Sequence, residues 1–203
     1  MQDKYFVINI REFLDESQKD NIGEEDLIEL FSDFSCPKNS DVEDFLKNKA
    51  IEFTRKSQSI TYLVFSCESL DFVGYYSLAI KPISIKAEGI SKNKCKKLER
   101  ISTFDEDTKT YTLSAYLIAQ LGKNYSLDKD NQIKGQDLLN FALETIYNIK
   151  HSVGGLIEFL ECEDNEFLLD FYQNNKFTPF NKRVSKSYKS KEEHTLHQLL
   201  KFI

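Results

Sequence analysis

The sequence predicts an α/β fold built on a mixed sheet, and three observations carry that expectation. Helix-like and strand-like segments alternate through most of the 203 residues. The strand-like runs are dense in β-branched and aromatic residues. A strand, a polar loop, a long helix and a second strand follow one another over residues 111–162, the order of a βαβ unit, in which ligands tend to sit at the carboxyl ends of strands. No repeat and no Pro-, Gly- or Ser-rich linker interrupts the chain, so one domain over 1–203 is expected.

Each element has its own signal. Tyr5–Ile10 is an apolar, β-prone opening strand. Gly23–Phe34 is a helix whose acids stand in the first turn, where the positive end of the dipole favours them. After Pro37, Asn39 and Ser40 are caps for a helix carrying Val42, Phe45, Leu46, Lys49 and Phe53 near one face. Ile60–Cys67 and Phe72–Ile85 are two strands joined by a polar turn at Glu68–Asp71. Residues 92–103 form a charged surface helix, Tyr111–Leu121 a third long strand, and Gly122–Lys134 a polar loop. From Gly135 a long helix sets Leu138, Leu139, Ala142, Ile146 and Ile149 at helical spacing, and Gly154-Gly155 ends it. A strand over Leu156–Glu163, a helix over Asn165–Lys176 and a final strand over Thr195–Ile203 complete the order.

Composition excludes several classes. With 40% hydrophobic and 30% charged residues the chain is an ordinary globular protein. No apolar run approaches the roughly 18–20 residues that span a bilayer, and the amino terminus lacks the apolar core of a signal peptide, so a cytoplasmic location is expected. Cys36, Cys67, Cys95 and Cys162 are scattered without metal-like spacing; they read as reduced, mostly buried thiols, and no metal is expected. The net charge of −6 is uneven: residues 1–80 hold sixteen acids against eight bases, while Lys86–Arg100 and Lys182–Lys191 are locally basic. The bland reading of those runs is solvated surface; the sharper one is a surface that tracks phosphates.

The informative feature is Gln132-Ile133-Lys134-Gly135-Gln136-Asp137, where the loop gives way to the long helix. A helix start offers backbone N–H groups and a positive dipole end, and a glycine there admits a phosphate close to the backbone.

In this setting the chain resembles the GNAT acetyltransferases, whose cofactor loop reads Gln/Arg-x-x-Gly-x-Gly/Ala between the fourth strand and a long helix. Ser114–Asn124 resembles that strand, with Leu121-Gly122-Lys123 where Leu-Ala-Val is common. Asn165 to Tyr172, followed by Lys176-Phe177, resembles the Asn-x(6)-Tyr helix and its trailing Gly-Phe. Upstream, the Phe34–Ala50 and Phe72–Ile80 runs are similar to the Phe-x-Cys-x(5–7)-Phe-Leu and Val-Gly-Tyr-x-x-Leu elements of the branch that includes toxins acetylating aminoacyl-tRNA. The likeness spans roughly residues 31–180. It implies a mixed, mostly antiparallel central sheet flanked by helices.

The resemblance also implies a site and a reaction, transfer of an acetyl group from acetyl-CoA to a primary amine. Main-chain groups of Leu121, Gly122 and Lys123 would pair with the pantetheine arm. Gln132, Ile133, Lys134, Gly135, Gln136 and Asp137 would form the pyrophosphate loop, with backbone N–H groups from Ile133 onward as donors. Asn165 would contact the CoA arm, and Tyr172 would protonate the leaving thiolate as general acid. Glu161 and Glu163, near the end of a strand, are the candidate bases.

Two positions depart from the pattern. Asp137 stands where a second Gly or Ala is expected, setting a carboxylate near the phosphates or capping the helix, and it opens the alternative of a non-catalytic binding module. Lys176 replaces the trailing glycine. His194 and His197, at i, i+3 in a strand, should face opposite sides, and His151 suits a helix carboxyl end. Expected partners are an amine acceptor of unspecified identity, with tRNA and a second copy of the chain as candidates, and no membrane.

Overall fold

The computed structural model describes residues 4–14, 23–88, 90–186 and 193–203. In chain order the elements are β1 (Tyr5–Asn9), α1 (Arg11–Leu14), α2 (Glu24–Ser32), α3 (Ser40–Asn48), α4 (Ala50–Arg55), β2 (Ile60–Ser66) and β3 (Phe72–Lys86). Then follow α5 (Lys92–Leu98), β4 (Thr103–Asp105), β5 (Thr110–Lys123), α6 (Gly135–Val153), β6 (Ile157–Glu163), α7 (Glu166–Asn174), β7 (Thr178–Lys186) and β8 (Glu193–Phe202). The chain forms two compact units, one from residues 1–79 and 118–145 and the other from 80–117 and 146–203.

In the first unit the strand order is β1–β2–β3–β5. β1 and β2 pair antiparallel from Tyr5↔Ser66 to Asn9↔Tyr62, and β2 and β3 pair antiparallel with a bulge at Val64/Phe65. Strand alternation divides the side chains. Leu63, Phe72 and Tyr75 join Leu27, Phe31, Phe34, Phe45 and Leu46 of the helical segment in one core. The other face takes the start of α6, with Tyr5 edge-on to Phe141 at 6.2 Å and the Tyr76 hydroxyl 2.7 Å from Thr145 Oγ1.

Local chemistry sets the helix ends here. The Asn39 side chain accepts from the N–H groups of Asp41 and Val42 at 3.0 and 3.1 Å, opening α3. The single helix expected through Phe53 is instead two, because Lys49 leaves the helical region at φ −133° and both closes α3 and opens α4. That bend sets Phe45 edge-on to Phe53 at 5.5 Å.

In the second unit the order is β3–β5–β6–β8–β7, with β4 added to β5. β6/β8, β7/β8 and β4/β5 all pair antiparallel. One face gathers Ile83, Ile85, Tyr111, Leu113, Ile157, Phe159 and Leu200 under Leu98 of α5.

Three expectations need correction. The surface helix ends at Leu98, and Thr103–Asp105 is a strand in a hairpin whose Asp105 carboxylate accepts from the N–H groups of Asp107 and Thr108 at 2.8 and 3.0 Å. Gly122 and Lys123 belong to β5 and not to the loop. β7 lies in a stretch with no apolar alternation because most of it faces water: among the described residues it pairs with β8 alone, and it carries Lys182, Arg183 and Lys186, the charges typical of a protected edge. The rest of that basic run, residues 187–191, lies outside the described residues. Among the described residues no helix is long and apolar enough to cross a membrane.

Candidate functional site

The first unit holds the end of β5 and the start of α6. Gly122 is buried where a Cβ would stand 2.6 Å from the Tyr75 ring and 2.7 Å from Val42. Its carbonyl oxygen would lie 2.7 Å from a Cβ on Gly74, which explains the glycine of Val73-Gly74-Tyr75. Tyr75, fully buried, donates to the Val42 carbonyl at 2.6 Å and ties the strand to α3.

Asn124, just past the end of β5, is the junction that sequence reasoning missed. Its N–H donates to Val73 O at 2.9 Å and its amide nitrogen donates to Phe72 O at 2.9 Å. Its side-chain oxygen accepts from the N–H groups of Ser35 and Ser126 at 3.1 Å and from the Ser126 hydroxyl at 2.9 Å. Only a side chain carrying both donor and acceptor meets this set, and nothing in the sequence around a post-strand Asn announces it.

The loop beyond is closed from within. Gln132 turns its side-chain amide back to the Leu127 carbonyl at 2.9 Å, so that group braces the loop. Ile133 is fully buried and anchors it, and Lys134 is exposed. The Leu138 N–H donates to Lys134 O at 3.1 Å, so Lys134 caps α6 and the amides of Gly135 and Asp137 precede the helical ladder. Gly135 has helical backbone and does not take a left-handed φ. The Gln136 side chain donates to Asn140 at 2.9 Å, and Asp137 stands in the first turn, where its charge suits the helix.

The second unit holds β6 and α7. Asn165 is exposed and caps α7, its side-chain oxygen accepting from the Leu168 N–H at 3.2 Å. Tyr172 is buried, with Phe171 at 5.1 Å and Phe177 at 6.1 Å between ring centroids. Burial first, and the neighbouring Cys162 second, push the Tyr172 phenol far above its ordinary value, so it keeps its proton.

The helix end explains the Lys176 departure. Lys176 N–H donates to Gln173 O at 2.8 Å and Phe177 N–H to Tyr172 O at 3.1 Å, the paired bonds of a Schellman cap. The Tyr172–Phe177 ring contact is the apolar contact that accompanies it. Lys176 takes φ +69°, the left-handed conformation that a glycine adopts freely.

The candidate bases separate on β6. Glu161 alternates onto the face of Ile157 and Phe159, and Cys162 onto the opposite one. Burial alone would raise the Glu161 carboxyl, but Arg183, at 2.7 Å from Nε, and Gln198, at 2.7 Å, hold it below the usual range. A carboxylate so engaged is a poor proton acceptor, and it stands on the face away from Cys162. Glu163 is exposed at the strand end. On the Cys162 side, cross-strand His197 is buried and lies 2.8 Å from Asp164 Oδ1; burial, then Glu163 and Asp164, raise the Cys162 thiol to about 11. His197 is thus a partnered core histidine, and among the described residues no group of three or more His, Cys, Asp or Glu is placed to hold a metal.

No protein-family model and no curated protein sequence matches the chain. Solved structures do match its fold. AtaT complexed with acetyl-methionyl-tRNAfMet aligns at a TM-score of 0.61 with 18% identity, covering 94% of this chain and 93% of that one. A tyrosine-to-phenylalanine variant of KacT aligns at 0.60 with 14% identity over 96% and 95%. The corresponding type of variant of the AtaT toxin, bound to the C-terminus of the antitoxin AtaR and acetyl-CoA, aligns at 0.57 with 15% identity over 98% and 94%. The chain therefore has the GNAT-like fold of these toxins, an α/β arrangement with mostly antiparallel strands flanked by helices.

Proposed function

We propose that this chain is an acetyl-CoA-dependent N-acetyltransferase, and that its acceptor is the primary amine of an aminoacyl-tRNA. The observation that carries the reading is Tyr172: a buried phenol, held in its protonated form, on the helix whose Asn165 cap completes the Asn-x(6)-Tyr pattern. The near full-length fold match to a toxin holding acetyl-methionyl-tRNA supports the acceptor class.

In this reading the bound cofactor supplies a thioester open to attack by a neutral amine. The main chain of Leu121, Gly122 and Lys123 orients the pantetheine arm, and the amides of Gly135 and Asp137 take the pyrophosphate at the start of α6. The Asn165 NH₂ holds the CoA arm. As the carbon–sulfur bond breaks, the Tyr172 hydroxyl would give its proton to the departing thiolate, while the proton lost by the acylated nitrogen passes to solvent water. The Tyr172 phenol carries the proton it would donate, and so cannot act as the base. Glu161, locked by Arg183, is not assigned that part either.

The test is a Tyr172→Phe variant assayed for acetylation of methionyl-tRNA and, separately, titrated calorimetrically with acetyl-CoA. Turnover is expected to fall by about 10²–10⁴-fold with cofactor affinity nearly unchanged. Equal turnover would remove Tyr172 from the acid role. Asp137 favours the alternative of a non-catalytic module, because its charge lies in the turn that would face the pyrophosphate. No acetyl-CoA binding by the wild-type protein, restored by Asp137→Gly, would establish that alternative.

A further inference from the structure

The side chains of Lys38 and Lys123 form a cationic pair that none of the steps above uses. Their ammonium groups lie 5.3 and 5.2 Å from the centroid of one ring, that of Tyr125. Such distances suit cation–π attraction, and the ring acts as a post on which both charges are set. Among the described residues neither ammonium has a carboxylate partner, whereas nearby Lys47 and Lys49 are paired with Glu43 and Asp44 at 3.1 and 3.0 Å. Burial first, and then the charge of Lys38, lower the Lys123 ammonium from its ordinary value. Two like charges gathered about one ring are unfavourable in the free protein and favourable once an anion joins them.

The backbone under this pair is held firmly. Tyr125 N–H donates to Ser35 O at 2.8 Å, and Ser35 N–H donates to the Asn124 side chain at 3.1 Å. Lys38 immediately precedes the Asn39 cap of α3, and the Tyr125 ring packs against the core of the first unit. Asn124 therefore fixes the separation between the two segments that carry the lysines.

We propose that Lys38 and Lys123, set on the Tyr125 ring, bind a phosphodiester of the acceptor RNA strand. This rests on the reading of an aminoacyl-RNA acceptor, whose amine is flanked by such phosphates. The cofactor's pyrophosphate has its own assigned place at the start of α6, so these two cations are left for the other polyanion of the reaction. An acidic chain of net charge −6 gains little from a general electrostatic attraction to RNA and needs local contacts of this kind.

The experiment is fluorescence anisotropy with a labelled RNA hairpin ending in single-stranded CCA, at 50–200 mM KCl, beside calorimetric titration with acetyl-CoA. Wild type is expected to bind the hairpin. Lys38→Glu should bind it at least about tenfold more weakly, with the log–log salt slope shallower by about 1. Lys38→Arg should stay within about twofold of wild type, and both variants should keep the wild-type affinity for acetyl-CoA and the wild-type melting temperature. Equal RNA binding by Lys38→Glu overturns the proposal, as does absence of binding by wild type. A loss confined to acetyl-CoA overturns it as well and gives the cations to the cofactor. Failure of the wild type to bind acetyl-CoA, with RNA binding still dependent on Lys38, would sink the enzymatic reading while leaving the phosphate site.

Discussion

Replacing Lys176 by glycine should make the protein more stable. Lys176 is the left-handed residue of the cap that closes α7, at φ +69°, and its backbone N–H already bonds to Gln173 O. A left-handed conformation costs an L-residue about 1–2 kcal/mol. Glycine removes that strain, but its freer unfolded chain takes back about 0.4–1 kcal/mol. The exposed Lys176 side chain has no ion pair among the described residues to lose. The net gain is therefore about 0.5–1 kcal/mol, which for a chain of this size is a rise in melting temperature of about 1–4 °C. Calorimetric melting of Lys176→Gly, Lys176→Asn and Lys176→Met separates conformation from charge. The expected order is Gly above Asn, Asn above wild type, and Met equal to wild type, since asparagine tolerates the left-handed region and Met changes only the charge. A Gly variant no more stable than wild type would refute the strain argument.

Gly74→Ala should destabilise by about 1–3 kcal/mol, because its Cβ would stand 2.7 Å from the Gly122 carbonyl oxygen and a backbone atom must yield; urea midpoints measure it, and a neutral result would show that the strand ends slide apart freely. Stability should also fall in strong alkali. The Tyr75 and Tyr172 phenols are raised by burial in the folded chain, while the unfolded values stay near about 10. Below that pH the phenols are neutral in both states and contribute no pH dependence. Above it the unfolded chain ionises while the folded one does not, so stability declines by about 1.4 kcal/mol per pH unit per phenol. Urea midpoints that hold steady from pH 8 to 11 would contradict that burial.

The elements and their order were readable from the sequence wherever burial imposes a period. The α6 stripe and the capping Asn39 are one-dimensional signals of a helix, and the apolar, β-prone runs of β2, β3, β5 and β6 are signals of strands. The edge strand β7 was not readable, because a strand wet on most positions has no reason to alternate. The expected helix through Phe53 hid its break for a similar reason: helical spacing continues across Lys49 even though the backbone does not. Asn124 escaped notice because its role depends on partners at Ser35 and Phe72, far away in sequence.

The motif residues themselves divide by kind of constraint, and that division says which departure matters. Gly74, Gly122 and the position of Lys176 are geometric requirements: two exclude a Cβ and one asks for a left-handed backbone. Lys176 meets its requirement at a modest cost in strain, and the bonds it makes still close the cap on Tyr172 and Phe177. Its departure from glycine therefore leaves the Tyr172 setting whole. Asp137 is different in kind, since a fixed negative charge in the first turn of α6 acts on whatever anion approaches that turn, however well the backbone is formed. The charge stabilises the free helix by the same interaction that a pyrophosphate would use. In the proposed reading, cofactor affinity, and with it the choice between enzyme and binding module, would turn on that one side chain more than on any glycine of the motif.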